Sequence, residues 1–305
     1  MAGIITTGSN PKLLWPGLNK IWGNAYEMHD AGAEWKEIFE VEKSSKNYEE
    51  TVALTTLGLA PIKTEADAVQ YDTMKQSFMT RFYNITYALG YIVSQEELED
   101  NQYPDVAPKR TKALAHSIVY TQEIVAANVL NNAFSGSFLF GDGKPLCDIV
   151  HPTESGTFNN ELIVAADLSE KSLEEALIDI GLFVDSRGKR IRIIPKKLIV
   201  PIQLQFQAER LLKNENRPET ANRDINAIVN MNLLPEGFTV NHYLTDPDAW
   251  FIKTNCPTAL TKFDRIPVAF TQDNDFDTTN AKYKARTRFS FGCSDVRGIY
   301  GSPGA

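Results

Sequence analysis

Apolar residues along this chain recur with two different periods, and each period marks a different element. In the stretch from Tyr83 to Val93 they alternate. Tyr83, Ile85, Tyr87, Leu89, Tyr91 and Val93 fall on one parity, with Asn84, Thr86, Ala88 and Gly90 on the other. A period of two built from aromatic and β-branched residues predicts a long strand. Upstream, Val52, Leu54 and Leu57 mark a first strand that ends at Gly58-Leu59-Ala60-Pro61. A polar stretch with Thr64, Glu65, Asp67 and Asp72 separates the two runs. The pair reads as a long hairpin with an acidic tip. A two-stranded ribbon buries too little to stand alone, so its apolar face must lie on another surface. Ser94 and Glu97 then have the spacing of a capping box at a helix start.

From Pro104 to Phe134 the period changes to three and four residues. Pro108 is followed by roughly 25 residues without Gly or Pro, which as an α-helix would be about 37 Å long. Leu114, Ile118, Thr121, Val125, Asn128, Val129 and Asn132 predict its buried stripe. Lys109, Arg110, Lys112, Gln122 and Glu123 predict its polar side. The segment is too polar to span a membrane. Asn128, Asn131 and Asn132 weaken its far end, which reads as a junction with the next module.

Before the hairpin, Met1–Ser45 reads as an arm. Its polar start precedes three tryptophans, Trp15, Trp22 and Trp35, with a short helix in Leu14–Tyr26. So much aromatic surface is buried either on its own domain or on a neighbouring subunit. After the long helix, Asp167 and Ser169 open an amphipathic helix to about Val184, with Leu173, Leu177, Ile180 and Val184 inward. Ile191–Val200 predicts a buried strand, and Pro201 leads into a helix over Leu204–Leu212. Arg217–Ala221 reads as an exposed loop. Asn226–Asn232, Thr239–Leu244 and Trp250–Lys253 read as short strands, making the block a compact α/β or α+β module. The tail carries strands over Arg265–Thr271 and Tyr283–Phe291 around an acidic turn, Gln272–Asn280. Lys282, Lys284, Arg286 and Arg288 share one parity, so four cations line one face of the last strand. Such a ladder needs facing carboxylates, solvent or an anionic partner.

Composition narrows the function. At 305 residues with a formal charge of −8 the chain can bury a full core, and it lacks the basic excess of a nucleic-acid reader. Cys147, Cys256 and Cys293 are dispersed, with no CxxC pair, which argues against a disulfide framework or a zinc ribbon. Neither a secretory leader nor a membrane-length apolar run is visible, consistent with folding in a reducing cytoplasm. Gly141-Asp-Gly143-Lys144 lacks the upstream Gly and the following Ser or Thr of a phosphate loop, and Leu146 replaces the third Gly of a dinucleotide fingerprint. Cys147, Asp148 and His151 have no recognisable nucleophile context. His29, His116 and His242 are isolated, so neither a catalytic nor a metal site is predicted, and no cofactor. Tyr83, Tyr87 and Tyr91 lack interleaved cations and read as sheet packing rather than base stacking.

The order of parts is an aromatic arm, a long acidic-tipped hairpin, a long helix, a compact mixed module and a late pair of long strands. It resembles the major capsid protein of tailed bacteriophages. Two segments, Phe140-Gly-Asp-Gly-Lys-Pro-Leu-Cys-Asp-Ile-Val-His-Pro152 and Arg288-Phe-Ser-Phe-Gly-Cys-Ser-Asp-Val-Arg-Gly-Ile-Tyr-Gly-Ser-Pro303, resemble the Mu-like major head subunit family. The resemblance implies an α+β capsid fold and no enzyme. It divides the chain into an N-terminal arm (1–45), an extended β-hairpin loop (46–94), a peripheral domain with the backbone helix (95–140 and 261–292) and an axial domain (141–260 and 293–305). It implies self-assembly into hexameric and pentameric capsomers of an icosahedral virion shell around double-stranded DNA, contacted non-specifically and without a membrane. The implied partners are a portal, decoration proteins and a separate scaffolding protein; the last, or an already processed form of the chain, is expected because no charged helical prefix precedes the arm. Trp15, Trp22, Glu65, Asp67, Asp72, Lys282, Lys284, Arg286 and Arg288 are the expected intersubunit contacts. The alternatives are an encapsulin-like nanocompartment with the same fold and, from a different class, a cytoplasmic cysteine hydrolase using Cys147 and His151.

Overall fold

A computed structural model describes residues 15–94, 96–97, 103–214, 225–274 and 280–305, and their side chains except at 15–16 and 103–106. The expected loop at Arg217–Ala221 and the middle of the acidic turn, 275–279, lie outside the described residues.

Helix α1 (Trp15–Ala31) and the short α2 (Trp35–Ile38) lead into β1 (Glu40–Lys43). The hairpin follows as β2 (Tyr48–Leu54) and β3 (Gln76–Tyr83), paired antiparallel from Tyr48↔Tyr83 to Leu54↔Gln76. This corrects the sequence reading. The return strand of the hairpin is Gln76–Tyr83, and the alternating run beyond it is a separate strand, β4 (Ile85–Val93), in another sheet. The break has a physical cause in Asn84. Its buried side chain donates to Ser44 Oγ (2.7 Å) and the Lys46 carbonyl (3.1 Å) and accepts from Ser290 Oγ (3.1 Å). A buried amide is costly unless its groups are bonded, and satisfying them here turns the chain from ribbon to sheet.

The long helix, α3, runs Tyr103–Asn131 with Pro108 inside it, about 43 Å of beam. At the preceding turn the Ser94 hydroxyl accepts the Glu97 N–H (3.3 Å), as the capping spacing anticipates. Above α3 lies a four-stranded sheet in the order β1-β10-β11-β4, with β10 spanning Leu260–Asn274 and β11 spanning Ala281–Cys293. The two late strands are longer than the sequence reading and pair from Leu260↔Cys293 to Asn274↔Ala281. Leu18, Trp22 and Ala25 of α1, Leu114, Ala115 and Ile118 of α3, and Phe270, Tyr283 and Ala285 of the sheet form one core.

A second core belongs to the middle block. Here β12 (Ile299–Ser302), β9 (Trp250–Thr254), β7 (Pro195–Pro201) and β8 (Phe238–Asn241) make a mixed sheet in that order. It is covered by α4 (Glu170–Gly181) and α5 (Gln205–Lys213), and a short hairpin, β5 (His151–Thr153) with β6 (Gly156–Phe158), lies beside it. Ser169 caps α4 in a reciprocal box with Ser172. The expected strand at Asn226–Asn232 is instead the helical turn α6 (Ala227–Asn230), because the Asn226 side chain accepts the N–H groups of Ile228 and Val229. The expected strand from Ile191 begins only at Pro195. Ala126, Leu130 and Ala133, from the far end of the long helical segment, join this second core, so α3 is shared by both bodies. At that end Asn131 donates to the Tyr243 carbonyl (3.1 Å) and accepts the Thr245 N–H (3.0 Å).

Burial along α3 departs from the expected stripe: Asn128 is exposed, Thr121, Val125 and Val129 are only half-buried, and two polar residues are buried instead. Gln122 and Glu123, read as solvent-facing, are 1% and 3% exposed. Both flanks of the helix are covered, by α1 and α2 on one side and the sheet on the other, so the apolar face is wider than one stripe.

One buried polar hub ties the loop after α3 to the C-terminus. Asn160 Oδ1 accepts the Asp148 N–H (2.9 Å), while its Nδ2 donates to the carbonyls of Leu146 (2.8 Å) and Val296 (2.9 Å). That orientation leaves Oδ1 to accept from His151 Nε2 (3.0 Å), and His151 Nδ1 meets Asp142 Oδ2 at 2.6 Å. Asn160→Ala strands several buried polar groups and is expected to cost about 3 kcal/mol. Urea denaturation should show this as a lower midpoint at unchanged slope, with Asn159→Ala nearly silent.

Candidate assembly surfaces

The hairpin carries the largest concentration of exposed apolar residues. Residues 55–75 form its tip and contain no strand. On it Ile62 is 96% exposed, Tyr71 94% and Leu59 82%, and Leu57, Val69 and Met74 are exposed as well. The sequence reading marked the acidic residues of this tip, put Leu57 in the first strand, which ends at Leu54, and gave no role to Ile62, Val69, Tyr71 and Met74. Their signal was present, as apolar side chains in a stretch without strand periodicity. Isolated apolar side chains on a surface are ordinary; six on one loop make it a candidate contact site.

The root and flank of the hairpin are fixed within the chain. Phe82 packs against Phe263 (ring centres 5.1 Å apart), and a Cβ on Gly292 would come within 2.2 Å of the Phe82 ring, so only glycine lets the hairpin sit so close to β11. Farther out, the Thr56 hydroxyl donates to Asp185 (2.6 Å) and the Ser186 hydroxyl accepts the Thr56 N–H (3.0 Å). Lys189 reaches the Leu57 carbonyl, and Lys75 pairs with Glu154 at 3.2 Å. Burial alone would raise the Asp185 carboxyl, but hydrogen bonds from Thr56, Lys189 and Arg187 outweigh it and hold it at about 2. A cleft of about 520 Å³ remains between the hairpin and the middle block, with Val52, Phe78, Phe140 and Phe158 among its walls.

Of the expected contact residues, Asp72 is engaged within the chain. Arg187 binds it with two nitrogens, at 2.5 and 3.2 Å, and the Gly58 N–H adds a third bond at 2.7 Å. The Arg187 hydrogen bond, then the backbone N–H groups of Gly58 and Thr73, pull its carboxyl well below the usual range. Asp67 accepts from Thr64, and Glu65 is exposed. Trp22 is also held inside its own subunit, buried and stacked between Tyr26 (5.1 Å) and Phe270 (5.4 Å). Indole burial in the local core satisfies what the sequence reading assigned to a neighbour. Of Trp15 only the backbone is described, at the start of α1.

The cationic ladder has the expected parity. Ala281, Tyr283, Ala285, Thr287 and Phe289 point into the core, while Lys282, Lys284 and Arg286 are exposed and Arg288 half-buried. Across the sheet these four face Ile92, Gly90, Ala88 and Thr86 on β4, and Asp273, Thr271, Ala269 and Ile266 on β10. One of these eight cross-strand neighbours, Asp273, is a carboxylate. Arg288 donates to the Asn84 carbonyl (3.0 Å) and to Asn47.

The geometry gives no support to a hydrolase. Both ring nitrogens of His151 are committed to Asp142 and Asn160, and burial pushes the Cys147 thiol well above its usual range, away from the reactive thiolate. Among the described residues no cluster of three or more His, Cys, Asp or Glu could hold a metal, and no helix is long and apolar enough to cross a membrane.

A model of a family described as phage capsid protein matches residues 82–302. No curated protein matches the sequence. Among solved structures, the capsid of an empty GTA particle is 12% identical, with 99% of this chain and 91% of that one covered at a TM-score of 0.56. The capsid of the Myoviridae phage XM1 is 11% identical, covering 88% and 89% at 0.52. A virus-like particle from Pyrococcus furiosus is 12% identical, covering 93% and 98% at 0.53. At such identity these likenesses establish the shared fold, while the family match takes in α3, both four-stranded sheets except β1, and the cationic strand. The chain therefore belongs to the phage capsid protein family.

Proposed function

We propose that this capsid shell protein builds the icosahedral head of a tailed bacteriophage, as hexamers and pentamers enclosing double-stranded DNA. The observation that carries the reading is the hairpin tip, whose apolar residues are exposed, with none of the other described residues covering them. A second copy of the chain offers the matching chemistry in the exposed cationic face of β11, against which Glu65 and Asp67 would pair. Trp15, Lys282, Lys284, Arg286 and Arg288 remain candidate contacts on the same reading. Asp72 enters it as the residue that braces the tip from within. In this account residues 1–45 are the arm, 46–94 the extended loop, 95–140 with 261–292 the peripheral domain, and 141–260 with 293–305 the axial domain.

Many weak contacts repeated around a closed shell give stability through multivalency, and a flexible loop tolerates slightly different neighbours. The net charge of −8 limits adhesion to packaged DNA. Assembly in the host cytoplasm with a separate scaffolding protein, a portal and decoration proteins completes the proposal. The segments at 140–152 and 288–303 support a Mu-like head subunit within this reading. The fold is shared with virus-like particles, and the phage family match favours the viral head over a cellular compartment.

Two outcomes test this. Replacing Glu65 and Asp67 together by lysine should lower shell yield about threefold and steepen its salt dependence, because a weak pair is repeated at every contact. Adding Lys284→Glu and Arg286→Glu should restore the yield; sedimentation shows shells directly, and undiminished shells in the first variant contradict the pairing. Ile62→Asp with Tyr71→Ser should leave subunit stability within about 0.5 kcal/mol, since both are exposed. The same pair should reduce assembly about tenfold or more through lost apolar burial.

A further inference from the structure

The last turn of α1 meets the long helix at two imidazoles. The rings of His29 on α1 and His116 on α3 lie 3.4 Å apart, centre to centre, tilted at 51°. They line a cavity of about 240 Å³ with Glu34, Tyr120, Glu123 and Tyr243. The two rings are in direct contact, nearer than the usual spacing of about 4.5–7 Å between ring centres. Two imidazolium ions repel, and the partly enclosed site screens them less than open water.

Every element packed here contributes charge. On α1, Tyr26 donates to Asp30 (3.4 Å), which pairs with Lys36 of α2. In the turn between α1 and α2, Glu34 accepts from the backbone N–H of His242 (2.9 Å) and bonds its ring. On α3, Glu123 accepts the N–H groups of Glu34 (2.7 Å) and Trp35 (3.2 Å), fastening the start of α2. From β10, Lys262 donates to Gln122 (3.3 Å) and lies 4.0 Å from the Trp35 ring centre, with Asp264 on the same strand. The α1 end is thus held to α3 through the histidines and through Gln122, which donates to the Tyr26 hydroxyl (3.4 Å), and to α2 through Asp30 and Lys36; α2 is held to α3 through Glu123. Gly32 sits between the two attachments, with only the His29 carbonyl near the position a Cβ would take.

We propose that the His29–His116 contact is a pH-sensitive latch, closed at neutral pH and opened by acid, that frees the last turn of α1 about Gly32 while α2 stays docked.

The signs support a local opening. Burial, then the His29 charge, hold His116 below its ordinary range. Its neutral form therefore stabilises the contact above the unfolded value of about 6.5, and that stability is lost as pH falls below it. Glu123 runs the other way. Burial raises its carboxyl to about 7, so its contribution is full below the unfolded value and is lost as pH rises through 7. Acid therefore weakens the α1 attachment and strengthens the α2 attachment. Leu18, Trp22 and Ala25 keep the rest of α1 in the core.

Amide hydrogen exchange on the full chain at about pH 8 and about pH 5.5, corrected for intrinsic rates, tests the latch. The expected result at the lower pH is a rise of about tenfold at residues 27–32, with residues 35–39 and β11 unchanged. His116→Phe and His29→Gln should each abolish the rise, and Glu123→Gln should preserve it; two histidine variants are used in case one folds poorly. A wild type without the rise, a rise that persists in the folded histidine variant, or its loss in Glu123→Gln would each overturn the latch.

Discussion

The structure depends on one helix being packed along both of its flanks and into both of its cores. Near its start α3 meets α1 and the long sheet through Leu114, Ala115 and Ile118; near its end it reaches the middle block through Ala126 and Leu130. Alanines on the buried face let the neighbours approach closely, and the polar pair Gln122 and Glu123 is buried where the two cores meet. Those groups are affordable because each has a partner, Lys262 for Gln122 and the N–H groups of Glu34 and Trp35 for Glu123. A beam fixed in this way holds two bodies in one subunit and gives the arm and the hairpin a rigid base.

The hairpin is the opposite kind of object. Two strands cannot bury their own apolar residues, and the fold solves this only in part. The root is locked by Phe82 over Gly292, and the flank is tied by Thr56, Asp72 and Lys75 to the middle block. Among the described residues nothing covers the apolar tip beyond these ties. A subunit of a closed shell can carry such a surface, because its neighbour supplies the missing cover at every position of the lattice. The phage capsid family to which the chain belongs makes it a structural protein of the virion shell, and the tip and the cationic face of β11 are what its own chemistry adds.

Much of this was legible in the residues. Strand β11 was readable because its parity separates Lys282, Lys284, Arg286 and Arg288 from Tyr283, Ala285 and Phe289, and burial follows that split. The long helix was readable from its length and spacing. The errors arose where a buried polar side chain overrode a local pattern. Asn84 interrupts an apparently continuous strand, Asn226 converts an alternating segment into a helical turn, and Glu123 looks solvated until the partner N–H groups from residues 34 and 35 are known. Each depends on partners distant in sequence or on a capping geometry that periodicity does not encode. Of the proposed contact surface, the acidic Glu65, Asp67 and Asp72 stood out in the residues, while the exposure of Leu59, Ile62 and Tyr71 is visible only in the structure, which also packs Trp22 against Phe270.

Electron cryo-microscopy of the purified, self-assembled protein tests the account most directly. It predicts closed shells in which residues 55–75 of each subunit lie against the exposed face of β11 on an adjacent subunit, with Ile62 and Tyr71 covered. Protein that stays monomeric under assembly conditions, or shells whose hairpin tips point into solvent, would contradict it.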